Sequence, residues 1–271
     1  MTIRVRQMCG AFRGRAVLLV VVLAAAASVA CGDKPLDAKP GEQADTYLFD
    51  RGNEEVGKSS WVKARTYYQR LVDGYPQSPH RPDAKLGVAD TYLGENTTES
   101  LVLAVNEYRE FLSFYPTHAR ADYAQYKIAM SHFGKMRAPE RDQTETREAI
   151  REFDLFFERH PASPLAPEVR KNWREAKDRL TQASVNVGLF YFKSRRWYPG
   201  AIARFREVLA EDPEFTGRDT VYFYLAQSLV LSNKKAEAVP YLDRLLKEFP
   251  NSPLAPEAQK SFDAAQPAPT Q

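Results

Sequence analysis

Apolar positions along this chain recur with a helical period and a fixed punctuation. An alanine is followed by a large residue at +4, an apolar one at +7 and a proline at +12. Five segments match: Ala64, Tyr68, Leu71, Pro76; Ala104, Tyr108, Phe111, Pro116; Ala149, Phe153, Phe156, Pro161; Ala201, Phe205, Val208, Pro213; and Ala238, Leu242, Leu245, Pro250. Offsets of four and seven residues place the three side chains on one face of an α-helix. Proline blocks a further turn and pushes the preceding residue out of the helical region, so each match predicts a helix ending just before its proline.

A second amphipathic run precedes each match or follows each proline. Ser78-Pro79, Ser163-Pro164 and Ser252-Pro253 mark restarts, with Pro82, Pro167 and Pro256 three residues further on. Two starts fit, one capped by the serine and one at the second proline. The pattern therefore predicts helical hairpins in tandem. Successive prolines lie 40, 45, 52 and 37 residues apart, longer than the 34-residue period of tetratricopeptide repeats, with the excess in loops or lengthened helices. The expected fold is all-α, a superhelical stack of five tetratricopeptide-like hairpins over residues 46–263, with 264–271 a disordered tail.

Local signals refine this. Gly52 stands 12 residues before Ala64, where such repeats favour a small side chain, and Ser59 or Ser60 is placed to cap the second helix. Asn96-Thr97-Thr98 has the form of a glycosylation acceptor and reads as a capped turn. Asp142-Gln-Thr-Glu145 fits a capping box. Leu165 to Phe192 is unusually long helical sequence, and its charged segment Lys171–Arg179 reads as a solvated face.

The amino terminus is of another kind. Residues 1–30 carry four arginines and no acid, followed by the apolar run Ala16–Ala27 of 12 residues, the length of a signal-peptide core and too short for a transmembrane helix. Ser28-Val29-Ala30-Cys31 resembles a lipobox, with Ser28 where leucine is usual, so Cys31 is the expected site of lipid attachment after cleavage. Residues 31–45 form a lipidated tether rich in Lys, Asp, Pro and Gly. The other cysteine, Cys9, departs with the signal, which leaves no disulfide in the mature chain.

The formal net charge is +3, but without residues 1–30 the balance is 34 basic to 35 acidic side chains, which argues against nucleic acid as a partner. No phosphate-binding loop, dinucleotide fingerprint, zinc-protease motif or cysteine pair is present. His80, His118, His132 and His160 are spread out, three of them near turns, and the carboxylates fall on polar helix faces. The expectation is a protein that is not an enzyme and holds no cofactor or metal.

Beyond the repeat, several stretches carry a family likeness: Tyr115-Pro-Thr-His118 with Asp122-Tyr123 and Tyr126; Arg141-Asp142 before Ala149 and Phe153; Lys177-Asp-Arg-Leu180; and Val187-Gly188 with Phe190-Tyr191, leading to Ala201 and Arg204. With these the chain resembles the BamD family, tetratricopeptide lipoproteins of the outer-membrane β-barrel assembly machinery. The resemblance implies a periplasmic scaffold on the outer membrane, its N-terminal repeats receiving unfolded barrel precursors and its C-terminal repeats docking on a BamA-like insertase beside accessory lipoproteins. Tyr75 falls at a family position near the substrate pocket, although an aromatic before the repeat's last proline is equally a packing residue. Arg204 matches a family arginine implicated in the insertase contact. Asp33, second after Cys31, is an inner-membrane retention signal in some bacteria and pulls the other way. The rival reading is another interaction lipoprotein with the same repeats, a secretin pilot or a peptidoglycan-associated adaptor.

Overall fold

A computed structural model describes residues 43–265. The chain divides into two units, 1–44 and 45–271. The signal segment, Cys31, nearly all of the tether and the last six residues lie outside the described part.

The described residues contain 11 α-helices and a short π-helical turn, with no strand. They pair in order: α1 (Ala44–Gly57) with α2 (Trp61–Gly74), α3 (Arg81–Glu95) with α4 (Thr98–Phe114), and α5 (Ala121–Phe133) with α6 (Thr144–Arg159). Then come α7 (Ala166–Leu189), running into the π turn Phe190–Ser194 and pairing with α8 (Tyr198–Glu211), and α9 (Arg218–Leu231) with α10 (Lys235–Glu248). A single helix, α11 (Ala255–Ala265), follows the fifth pair and packs on α10. From α3 onward each helix packs chiefly on the ones before and after it.

The alanine–aromatic motif lies on the second helix of every pair. All 15 of its residues, from Ala64, Tyr68 and Leu71 to Ala238, Leu242 and Leu245, are at most 3% exposed. Burying each large side chain contributes roughly 1.5–3 kcal/mol. The prolines act as expected. Tyr75, Tyr115, His160, Asp212 and Phe249, each just before its proline, share φ near −130° to −140° and ψ of 52–75°, and each donates its N–H to the carbonyl four residues back.

The alanine is one of two devices that bring helices close. Opposite edges of the Tyr68 ring lie against Gly52 of α1 and Gly87 of α3, so close that a Cβ on either would overlap the ring. Only glycine leaves room there, which gives Gly52 a steric role beyond being small.

Starts and caps are decided by neighbours as much as by local sequence. Thr97 and Ser100 form a reciprocal capping box, so the Asn96-Thr97-Thr98 stretch is a capped turn. After Ser78, Ser163 and Ser252 the helix begins three residues later, at Arg81, Ala166 and Ala255, so the second proline marks the start. The serine Oγ instead accepts the N–H two residues on and, at Ser163 and Ser252, donates 2.6 Å bonds to Asp122 and Asp219 at the head of the preceding pair. Ser60 sits at the start of α2 without a side-chain cap bond, and Ser59 adopts φ 56°. The box expected at Asp142 and Glu145 does not form. Asp142 accepts from Thr144, while Glu145 is drawn away by His132 at 2.8 Å and Lys135 at 2.9 Å. The 171–179 segment is likewise more than a solvated face: Arg174 pairs with Asp178 and the buried Asp212, and Asp212 also accepts from Thr181 at 2.7 Å.

Candidate functional site

Two surfaces stand out. The first joins pairs two and three, where tyrosines project from packed helices onto polar partners. Tyr108 on α4 and Tyr123 on α5 both donate to Oδ1 of Asp90 on α3, at 2.5 and 2.8 Å. Arg120, just before α5, bonds Asp83 at 3.2 Å and reaches within 4.0 Å of Asp90. Its guanidinium lies 4.6 Å from the Tyr123 ring centre, and the Lys127 ammonium lies 5.2 Å from the same ring and 5.6 Å from that of Tyr126. Tyr126 continues the series, donating to Glu168 of α7 at 2.7 Å and accepting from Asn172. The result is a network of tyrosines and cations tied together by carboxylates, in which Tyr108 and Tyr126 are buried and Tyr123 and Lys127 are partly exposed.

Burial sets the protonation behaviour here. It pushes the Asp90 carboxyl above its ordinary value, against the opposing hydrogen bonds of Tyr108 and Tyr123 and the charge of Arg120. It raises the Tyr123 and Tyr126 phenols too, with Asp90 and Glu168 adding to the effect. The Tyr68 phenol, desolvated and near Asp90, is pushed up to about 12. These hydroxyls are donors throughout the ordinary pH range.

The second surface is built at the π turn. Arg195 donates its N–H to Phe190, an i→i+5 bond that inserts one residue and turns the segment before α8. Phe190 is 46% exposed and Trp197 is 54% exposed. Trp197 stacks edge-on against Tyr191, 5.1 Å between ring centres, and lies directly over Gly200. Arg204 is one helical turn beyond Gly200 on the same side of α8 and is partly exposed. It pairs at 2.7 Å with Glu207 of its own helix.

Of the residues singled out in the sequence, Tyr75 closes α2 and is 38% exposed, and Arg204 lies in α8, whose start carries Trp197. The structure does not bring these two together, since pairs two and three lie between them. Asp90, Arg120 and Lys127 were not singled out, and neither was Trp197. The i, i+4 positions of Tyr123 and Lys127 were a signal that could have been read. His80 and His118 do serve turns: His80 stacks on Phe49 at 4.9 Å, and His118 accepts the N–H of Arg120. His132, in contrast, converges with Glu148 and Glu152.

Comparison with known proteins gives this arrangement a context. A tetratricopeptide-repeat profile matches residues 220–252, essentially α9 and α10. The protein called outer membrane protein assembly factor BamD in Caulobacter vibrioides is 26% identical over 234 residues, covering 84% of this chain and 74% of its own length. A protein of the same name in Xylella fastidiosa is 23% identical over 57% of this chain and 56% of its own. Another, in Neisseria meningitidis, is 23% identical over 80% and 83%. The profile of the YfiO family, described as outer membrane lipoprotein, matches residues 41–227, which takes in both surfaces, and the chain belongs to that family.

Proposed function

We propose that this chain is an outer membrane protein assembly factor, a non-catalytic scaffold tethered by lipid on Cys31 to the periplasmic face of the outer membrane. It receives unfolded β-barrel precursors and docks on the barrel insertase, alongside accessory assembly lipoproteins. The observation that carries this reading is the continuous family match over residues 41–227. The names of the relatives from Caulobacter and Neisseria, which cover most of this chain, support it.

The two surfaces divide the work. The N-terminal pairs, with Tyr75 at one edge and Arg120, Tyr123 and Lys127 beyond it, offer ring faces and cationic donors to an extended aromatic segment. Such a segment leaves backbone carbonyls and aromatic faces unsatisfied, and those are the groups these side chains complement. The Phe190–Trp197–Arg204 face holds the insertase: an exposed tryptophan beside an arginine is the composition of an interface centre. No nucleic acid takes part.

Solubilising membranes in mild detergent and capturing the tagged chain tests the reading. A β-barrel protein bearing repeated periplasmic domains should co-purify. Its complete absence, with the chain itself intact and lipidated, overturns the assignment.

A further inference from the structure

His132 closes α5 and faces α6. Its Nδ1 lies 2.8 Å from Glu145 Oε2. A carboxylate there accepts, so Nδ1 carries the proton and the neutral ring presents a lone pair at Nε2. That Nε2 is buried and has no hydrogen-bond partner among the described residues. Glu148 and Glu152 stand one turn apart on α6, and one ring nitrogen of His132 and one oxygen of each carboxylate lie within 4.8 Å of one another. A desolvated imidazole nitrogen thus lies beside two carboxylates whose charge is offset by Arg109 and Arg151.

We propose that His132 Nε2, Glu148 and Glu152 form a divalent metal site, with Zn²⁺ the ion whose preferences best match one imidazole and two carboxylates. Water completes the coordination. The surroundings are those of a metal-bound histidine: Glu145 holds the other ring nitrogen and is itself held by Lys135 at 2.9 Å. Glu152, 5% exposed, is fixed through one oxygen by Arg109 at 3.0 Å and through the other by Gln125 at 2.8 Å. Its Oε1 also accepts weakly from Arg151, so a lone pair there becomes free only when Arg151 turns away. Arg151, which pairs with Glu148 and lies 3.4 Å from Glu152, has a side chain 58% exposed and can swing into solvent as the ion enters.

The ion would join the end of α5 to α6 across residues 134–143, the longest connection between described helices. Binding to the folded chain alone stabilises it by mass action, so the melting temperature rises with metal concentration. This proposal is independent of the assembly-factor reading, because neither surface contributes a ligand.

The test uses the full chain in detergent, without a polyhistidine tag. Zn²⁺ is titrated calorimetrically and Co²⁺ by visible absorption. The expected result is one ion per chain, a rising melting temperature and a Co²⁺ spectrum typical of nitrogen and oxygen ligands. Glu148→Gln, at a half-exposed position that leaves the fold intact, should weaken Zn²⁺ at least tenfold. Glu145→Gln should cost about tenfold to a hundredfold although Glu145 is not a ligand. Absence of saturable binding, or undiminished binding by Glu148→Gln, overturns the site.

Discussion

The hydroxyl of Tyr108 donates to Asp90 at 2.5 Å from the next helix back, and both groups are withdrawn from water. Because burial raises the Asp90 value above 3.8, the folded chain holds that proton more tightly than the unfolded one. Its contribution to stability is therefore fullest below that ordinary value and declines as pH rises through the raised one. Asp90→Asn removes the decline. As pH rises from below 3.8 through the raised value, the unfolding free energy of this variant should gain on that of the wild type, measured by urea titration at each pH. A gap that stays constant with pH would contradict the burial argument.

Asp212 should behave with the opposite sign. Burial alone would raise it, but the bonds from Arg174 and Thr181 outweigh burial and hold it below 3.8. Its stabilising contribution is present above that value and lost as pH falls through the depressed one. Asp212→Ala should cost about 3 kcal/mol at neutral pH, the low end for a broken buried pair because Asp178 still accompanies Arg174. The same variant should show a flatter acid limb.

Gly87→Ala tests the contact with Tyr68. The added methyl carbon would stand 2.6 Å from the ring, which cannot retreat because its other edge meets Gly52. Overpacking costs about 1–3 kcal/mol, partly offset by about 1 kcal/mol of helix propensity. Gly57→Ala, whose new carbon meets no neighbour within 4 Å among the described residues, should keep part of the propensity gain and melt no lower than wild type. Thermal melts of the pair separate the two effects.

The proposed docking face gives a functional prediction. Arg204→Glu should abolish recovery of the insertase from membranes while changing the unfolding free energy by no more than about 0.5 kcal/mol, since among the described residues Arg204 pairs with Glu207 of its own helix. In parallel, Cys31→Ala should end incorporation of labelled palmitate and release the chain from the membrane fraction.

The helix pairs were legible because their signal is local and redundant. Ala104, Tyr108 and Phe111 need only a helical period to share a face, and Pro116 needs only its own ring to stop the helix. Whether a carboxylate is buried is decided elsewhere. Asp90 is enclosed by tyrosines 18 and 33 residues away, and Asp212 by an arginine 38 residues away. On a helical wheel each looks like any solvated acid. Glu145 illustrates the same limit: its spacing from Asp142 is right for a cap, yet His132 from the preceding helix competes for it and wins. The Trp197 patch was hidden for another reason, since it depends on an inserted π turn that no periodicity announces.

The lone eleventh helix has a consequence for the whole series. A rung that ended at α10 would offer Leu242, Leu245 and their neighbours as a sticky landing for the next copy, and nothing in a nearest-neighbour architecture limits its own length. By seating Ala255 and Ala258 on that landing and turning Gln259, Lys260 and Asp263 outward, α11 covers apolar surface of α10 with a helix whose other side is polar, so the fifth pair is shielded without a sixth.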